Sequence, residues 1–69
     1  METIEATVEE IVFTNQNNGF TVCDIQYNRD LVTAVGYMPY INVGETVKLV
    51  GKWVVHPDYG EQFKVEYHE

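Results

Sequence analysis

"WVVHPDYGEQFKVEY", residues Trp53 to Tyr67, is the stretch on which the fold turns. Its middle, Pro57-Asp58-Tyr59-Gly60, is turn chemistry: Pro fixes φ, Asp favours a turn through its side chain, and Gly accepts the left-handed position. His56, placed before a proline, is pushed toward extended geometry. Upstream, Val47, Leu49, Trp53 and Val55 share one face of a strand from Thr46 to His56, with Lys48 and Lys52 on the other. Downstream, the alternation predicts Phe63, Val65 and Tyr67 facing inward and Gln62, Lys64, Glu66 and His68 facing outward. Two alternating runs around a turn predict a hairpin.

Working outward, the rest of the chain reads in the same way. Ile4 to Phe13 is rich in β-branched residues, which favours strand, although Ile4, Val8, Ile11 and Val12 also fit helical spacing. As a strand it puts Ile4, Ala6 and Val8 on one face. A bulge near Glu9-Glu10 would return Ile11 and Phe13 to that face and bend the strand. Asn15 to Gly19 ends in an Asn-Gly turn signal. Phe20 to Tyr27 and Leu31 to Tyr37 read as two further strands, joined by a turn at Asn28-Arg29-Asp30. Met38 to Glu45 holds Pro39 and Gly44 and has room only for a loop or a single turn. The prediction is an all-β, five-stranded, OB-fold-like barrel as one domain over residues 1–69, with an SH3-like barrel as the structural alternative.

Composition narrows the function. No apolar run is long enough to span a membrane, and the acidic start does not resemble a signal peptide. The single cysteine, Cys23, suits a buried position in a reducing compartment, hence a cytoplasmic protein. Against eleven acidic residues stand only Arg29, Lys48, Lys52 and Lys64, a net charge of −7. Affinity for nucleic acid rests largely on neutralising phosphates, so a strong polyanion binder is not expected.

Catalytic patterns are weak. Gly51-Lys52 lacks the following Ser or Thr and the leading glycine of a phosphate loop. His56, His68 and Cys23 lack metal-ligand spacing. The chain has no serine, so a Ser-His-Asp grouping is excluded. No enzyme activity and no cofactor are expected of this chain. Of the nine aromatic residues, Trp53 and Phe63 are expected in the core and Tyr59 exposed, with Tyr27, Tyr37 and Tyr40 undecided. If the last two strands pair, Lys48, Lys52 and Lys64 form a small basic stripe. As a phosphate contact it would give a salt slope no steeper than about −2 on single strands. The candidate surface for DNA or a partner is therefore Lys48, Lys52, Lys64, Tyr59, His56, Asn17 and Asn18.

Three stretches together carry a resemblance: NQNNGFTV (Asn15 to Val22), VGYMP (Val35 to Pro39) and VGETVKLVGKWVVHPDYGEQFKVE (Val43 to Glu66). They resemble the N-terminal OB-fold domain of bacterial RecD-like ATP-dependent DNA helicases, related to the alpha subunit of exodeoxyribonuclease V. The resemblance implies a parent of helicase superfamily 1 that unwinds DNA 5′ to 3′ in repair and replication. Its ATP and magnesium would be held in a motor domain downstream of this module. In that light Trp53, Pro57, Gly60 and Phe63 look like core anchors and turn residues. Family members often carry a basic residue at the place of Asp58, and the acid here, with Glu61, weakens the case for strong DNA binding. Two roles remain open. The module docks on the helicase's other domains or on a partner protein, which the charge favours, or it weakly guides single-stranded DNA. As an isolated domain it is expected to be a monomer.

Overall fold

The computed structural model describes residues 1–69. Five strands follow one another: β1 (Glu2–Thr14), β2 (Phe20–Tyr27), β3 (Asp30–Tyr37), β4 (Thr46–His56) and β5 (Gly60–His68). They close into a barrel in the order β1-β2-β3-β5-β4. Strand β1 pairs with β2 through one half and with β4 through the other, while β5 inserts between β3, to which it is parallel, and β4. This is the Greek-key connectivity of an OB-fold. Only turns join β3 to β4, as expected, and the apolar side chains of Met38 and Ile41 from that connection are buried in the core.

The core follows strand alternation. Ile4, Ala6 and Val8 of β1, Cys23 and Ile25 of β2, Ala34 of β3, Val47 and Leu49 of β4, and Phe63 and Val65 of β5 pack together. The predicted bulge lies where expected: the β1–β2 register skips Glu9 between Val8 and Glu10, and Ile11 returns to the inward row opposite Cys23. A second skip, at Val12, was not expected. It turns Phe13 back outward, so Phe13 stands half exposed instead of sharing the inner face with Ile11.

Three further inward or outward assignments are corrected. Val55 was expected in the core and is 80% exposed. Pairing of β1 with β4 ends at Glu2 opposite Gly51, so beyond it the strand has β5 as its only neighbour; Trp53 still closes over the end of the core, and Val55, two residues on, has no barrel interior to face. Tyr67 was also expected inside and is half exposed, and His68 was expected outside and is half-buried. Both follow from a bulge: Val50 pairs with Tyr67 but Gly51 pairs with Val65, which leaves Glu66 over and reverses the faces after it. The His68 Nε2–H donates to the Pro39 carbonyl at 2.8 Å and ties β5 to the β3–β4 connection.

Strand β5 is squeezed at Val65. Gly36 of β3 lies across from it on one side and Gly51 of β4 on the other. A Cβ on Gly36 would overlap the Val65 carbonyl oxygen, and one on Gly51 would overlap the Lys64 carbonyl oxygen. Backbone cannot rotate away as a side chain can, so both positions demand glycine.

Candidate functional site

The outer surface of the sheet is built by the positions alternate to the core. Across from one another stand Phe13 of β1, Val22 of β2, Val35 of β3, Lys64 of β5 and Lys52 of β4. One row above, Phe20 pairs with Tyr37; one row below, Glu10 pairs with Asp24, Asp24 with Thr33 and Thr33 with Gln62. The upper two rows form an apolar patch. Phe13 and Phe20 are tilted against each other at 6.3 Å, and both rings, with that of Tyr37, keep substantial exposure. The patch is bounded by lysines at one end and by acids on the row below.

A hollow opens where the β4–β5 hairpin overhangs this sheet. Val12, Val22, Asp24, Thr33, Val35 and Gln62 line its floor and His56 and Tyr59 its rim. Local hydrogen bonds shape the rim. The His56 Nδ1 accepts from the backbone N–H groups of Asp58 at 3.0 Å and Tyr59 at 3.3 Å. These bonds require the lone pair on Nδ1 and put the proton on Nε2. The two rings stack at 4.6 Å, which holds Tyr59 out in solvent. On the floor, the Thr33 hydroxyl donates to the Asp24 carboxylate at 3.4 Å.

A second hollow lies at the other loop, lined by Thr14 to Gly19, Thr21 and Tyr37 to Ile41. Here the side-chain oxygen of Asn15 accepts from the Asn17 N–H and that of Asn18 from the Phe20 N–H, both at 2.9 Å. Gly19 takes a positive φ, as the Asn-Gly signal implied, although the connection is a wider loop than a two-residue turn. Buried Thr21 knits this end together. Its hydroxyl lies 3.0 Å from the Thr14 hydroxyl, 3.2 Å from the Met38 carbonyl and 3.3 Å from the Gly19 carbonyl.

The candidate residues are thus divided. His56 and Tyr59 rim one hollow, and Asn17 and Asn18 line the other. Lys52 and Lys64 are directly opposed, as the stripe required. Lys48 sits four residues further along β4, opposite Glu5 of β1, roughly 13 Å from Lys52 at the usual strand rise. Tyr27 joins neither hollow. Its ring packs 5.7 Å from Trp53, which meets Phe63 edge-on at 4.9 Å and donates its indole N–H to the Glu2 carboxylate at 3.0 Å. Trp53 is therefore a half-buried lid on the core with a polar tie.

The residues missed from the sequence are Val12, Phe13, Phe20, Val22 and Val35. The signal was present for Val22 and Val35, because alternation that buries Cys23, Ile25 and Ala34 must turn those two valines outward.

Cys23 is fully buried with its Sγ 4.0 Å from the Met38 sulfur. Burial, with a lesser push from the Asp24 charge, raises its thiol pKa to about 11, so it is a packing residue and a poor nucleophile. No group of three His, Cys, Asp or Glu side chains is gathered as a metal site, and no helix is long and apolar enough to cross a membrane.

No solved structure matches the chain. The family model described as the OB-fold domain of the ATP-dependent DNA helicase YrrC matches residues 1–69, in keeping with the strand order and with the resemblance seen in Asn15 to Val22 and Val43 to Glu66; the chain belongs to that family of helicase OB-fold domains.

Proposed function

We propose that this domain is a docking module of an ATP-dependent DNA helicase of the RecD-like kind, and that the outer face of β1, β2 and β3 packs on another domain of the same helicase or on a partner protein. The observation that carries this reading is the apolar patch of Phe13, Phe20, Val22, Val35 and Tyr37 on a domain of net charge −7. Burying half-exposed Phe and Tyr rings against protein is favourable at roughly 25 cal/mol for each Å² of apolar area. A nucleic-acid strand brings a charge with every nucleotide. It would have to pass Glu10, Asp24, Asp58 and Glu61 as well as the lysines. In the docking reading the ATP and magnesium chemistry belongs to the parent's motor domain, and this chain has no catalytic part in it.

The second reading, weak guidance of single-stranded DNA, is favoured by one observation: Lys52 and Lys64 end the row that begins at Phe13 and adjoins the row of Phe20 and Tyr37, exposed rings on which bases could stack. The deciding experiment is amide NMR of the labelled domain at low salt, titrated separately with oligo-dT and with the remaining helicase polypeptide. Shifts at Phe13, Val22, Val35 and Tyr37 with the polypeptide, and none with oligo-dT, are expected. Shifts at Lys52, Lys64 and Tyr59 with oligo-dT, lost as salt rises, would replace docking by strand guidance.

A further inference from the structure

Cross-strand neighbours of opposite charge stabilise a sheet and like charges directly opposite destabilise it. Lys64 has Val35 across from it on β3 and Lys52 across from it on β4, and Lys52 has no strand on its other side. In a chain with eleven acids, neither lysine is given a carboxylate as its cross-strand partner. The pair also continues the row Phe13, Val22, Val35, so an apolar strip ends in two opposed ammonium groups. A surface of that kind has a charge complement of its own, separate from the net charge of the domain.

From this juxtaposition we infer that the docking face takes an extended protein segment bearing an apolar side chain and a carboxylate pair, the carboxylates bridging Lys64 and Lys52. The inference rests on the docking reading and adds the chemistry of the partner. Its spacing follows from the sheet. A side chain seated between Val22 and Val35 lies about 7 Å from Lys64 and about 12 Å from Lys52 at the usual strand separation, which an extended chain crossing the strands covers in about two and about four residues, both on the same face as that side chain. The apolar residue therefore sits over Val22 and Val35, and the acids follow about two and about four residues later with their side chains on the same face. A segment with its charge confined to that point avoids Glu10 and Asp24 on the row below, which a uniformly charged strand does not. At physiological ionic strength acids more than about 8 Å from the bridge are largely screened, so the domain's −7 does not cancel the local attraction.

The test uses the labelled 69-residue domain and three probes. One is a short peptide with a Phe followed two and four residues later by Glu; the second is the same peptide with Lys in both places; the third is a short oligo-dT. The acidic peptide is expected to shift the amides of Val22, Val35, Lys64 and Lys52. Lys64→Gln and Lys52→Gln should each weaken it about tenfold, the scale of one charge-assisted hydrogen bond. Lys48→Gln, with the same change in net charge, should change affinity less than about twofold. At physiological ionic strength, where the long-range repulsion of the acids is screened, Lys64→Gln should also raise the unfolding midpoint, because it relieves the opposed charges, so lost binding is not lost folding. Tighter binding of the basic peptide on the same amides would overturn the inference and leave docking standing. Tighter binding of oligo-dT there would overturn both. Equal losses from Lys48→Gln and Lys64→Gln, or binding of no probe, would overturn the inference.

Discussion

Cys23 shows how much one enclosed atom can set. Its thiol is held protonated to about pH 11 by burial and by Asp24, whereas in the unfolded chain it ionises near 9. A raised folded-state pKa means that the unfolded state loses the proton first. Stability is complete below about pH 9 and falls between 9 and 11, by about 2–3 kcal/mol over the whole window. Comparing urea midpoints across that range should give a steeper loss for the native chain than for Cys23→Ala, and the difference between the two is the part that belongs to this thiol. Trp53 is the second decisive residue. Its ring covers Tyr27 and Phe63 and its N–H reaches Glu2, so Trp53→Ala should cost about 2–4 kcal/mol in denaturant unfolding. For a domain of this size that is most of the available stability. Both residues were legible in the sequence: an isolated cysteine among apolar neighbours, and a tryptophan in phase with Val47 and Leu49. The indole hydrogen bond was not, because it joins the second residue of the chain to the fifty-third.

At the level of elements, the bulges separate what alternation reveals from what it hides. The skip at Glu9 could be read because Ile4, Ala6 and Val8 change parity before Ile11. The skip at Val12 could not, since Ile11, Val12 and Phe13 are all apolar and any face suits them. The skip at Glu66 is masked in the same way by Tyr67 and His68, each amphipathic enough for either side. Val55 failed for another reason: alternation continues past the point where the neighbouring strand stops, and no local pattern marks that point. The bulge at Gly51 and the tip of the β4–β5 hairpin each give a prediction, with Gly44 of the β3–β4 connection as a contrast to Gly51. Gly51→Ala should prevent folding, seen as collapse of amide dispersion, because its methyl meets the Lys64 backbone. Gly44→Ala, at a positive φ in open space, should cost only about 1–2 kcal/mol. At the hairpin tip, His56→Asn should keep the turn, since an amide oxygen can take the place of Nδ1 as acceptor of the Asp58 N–H. His56→Ala should release it, with hydrogen exchange at Asp58 and Tyr59 as the measure.

The whole molecule is small against its own electric field. Its longest extent is 27 Å, less than the screening length of about 30 Å in 10 mM salt. At that ionic strength every acid acts on every other, and the compact state carries the net −7 in the smallest volume. Raising sodium chloride from about 10 mM to about 1 M, where the screening length falls to about 3 Å, should therefore raise the thermal midpoint, by roughly 5 °C if about 1 kcal/mol of repulsion is removed. A flat midpoint would mean that the acids are already spaced beyond effective reach. At this scale the barrel was readable from five strands and their turns. The apolar outer face was not, because Phe13, Val22, Val35 and Tyr37 come from three strands and become neighbours only once the register is known.

The place of β5 has a consequence for biosynthesis. The last strand of this barrel to be translated is not an edge that can be added late; it fills the gap between β3 and β4, and with it comes Phe63 of the core. Until those residues have emerged, nothing can cover the apolar inner side of β1, β2 and β3, and β4 lacks one of its two neighbours. Closure must wait until His68 has left the exit tunnel, so this domain folds only when more polypeptide or release from the ribosome has pushed its final strand into the open. A pause after β4 has emerged and before β5 has would prolong the exposure of that sheet, and chaperone capture should be greatest there.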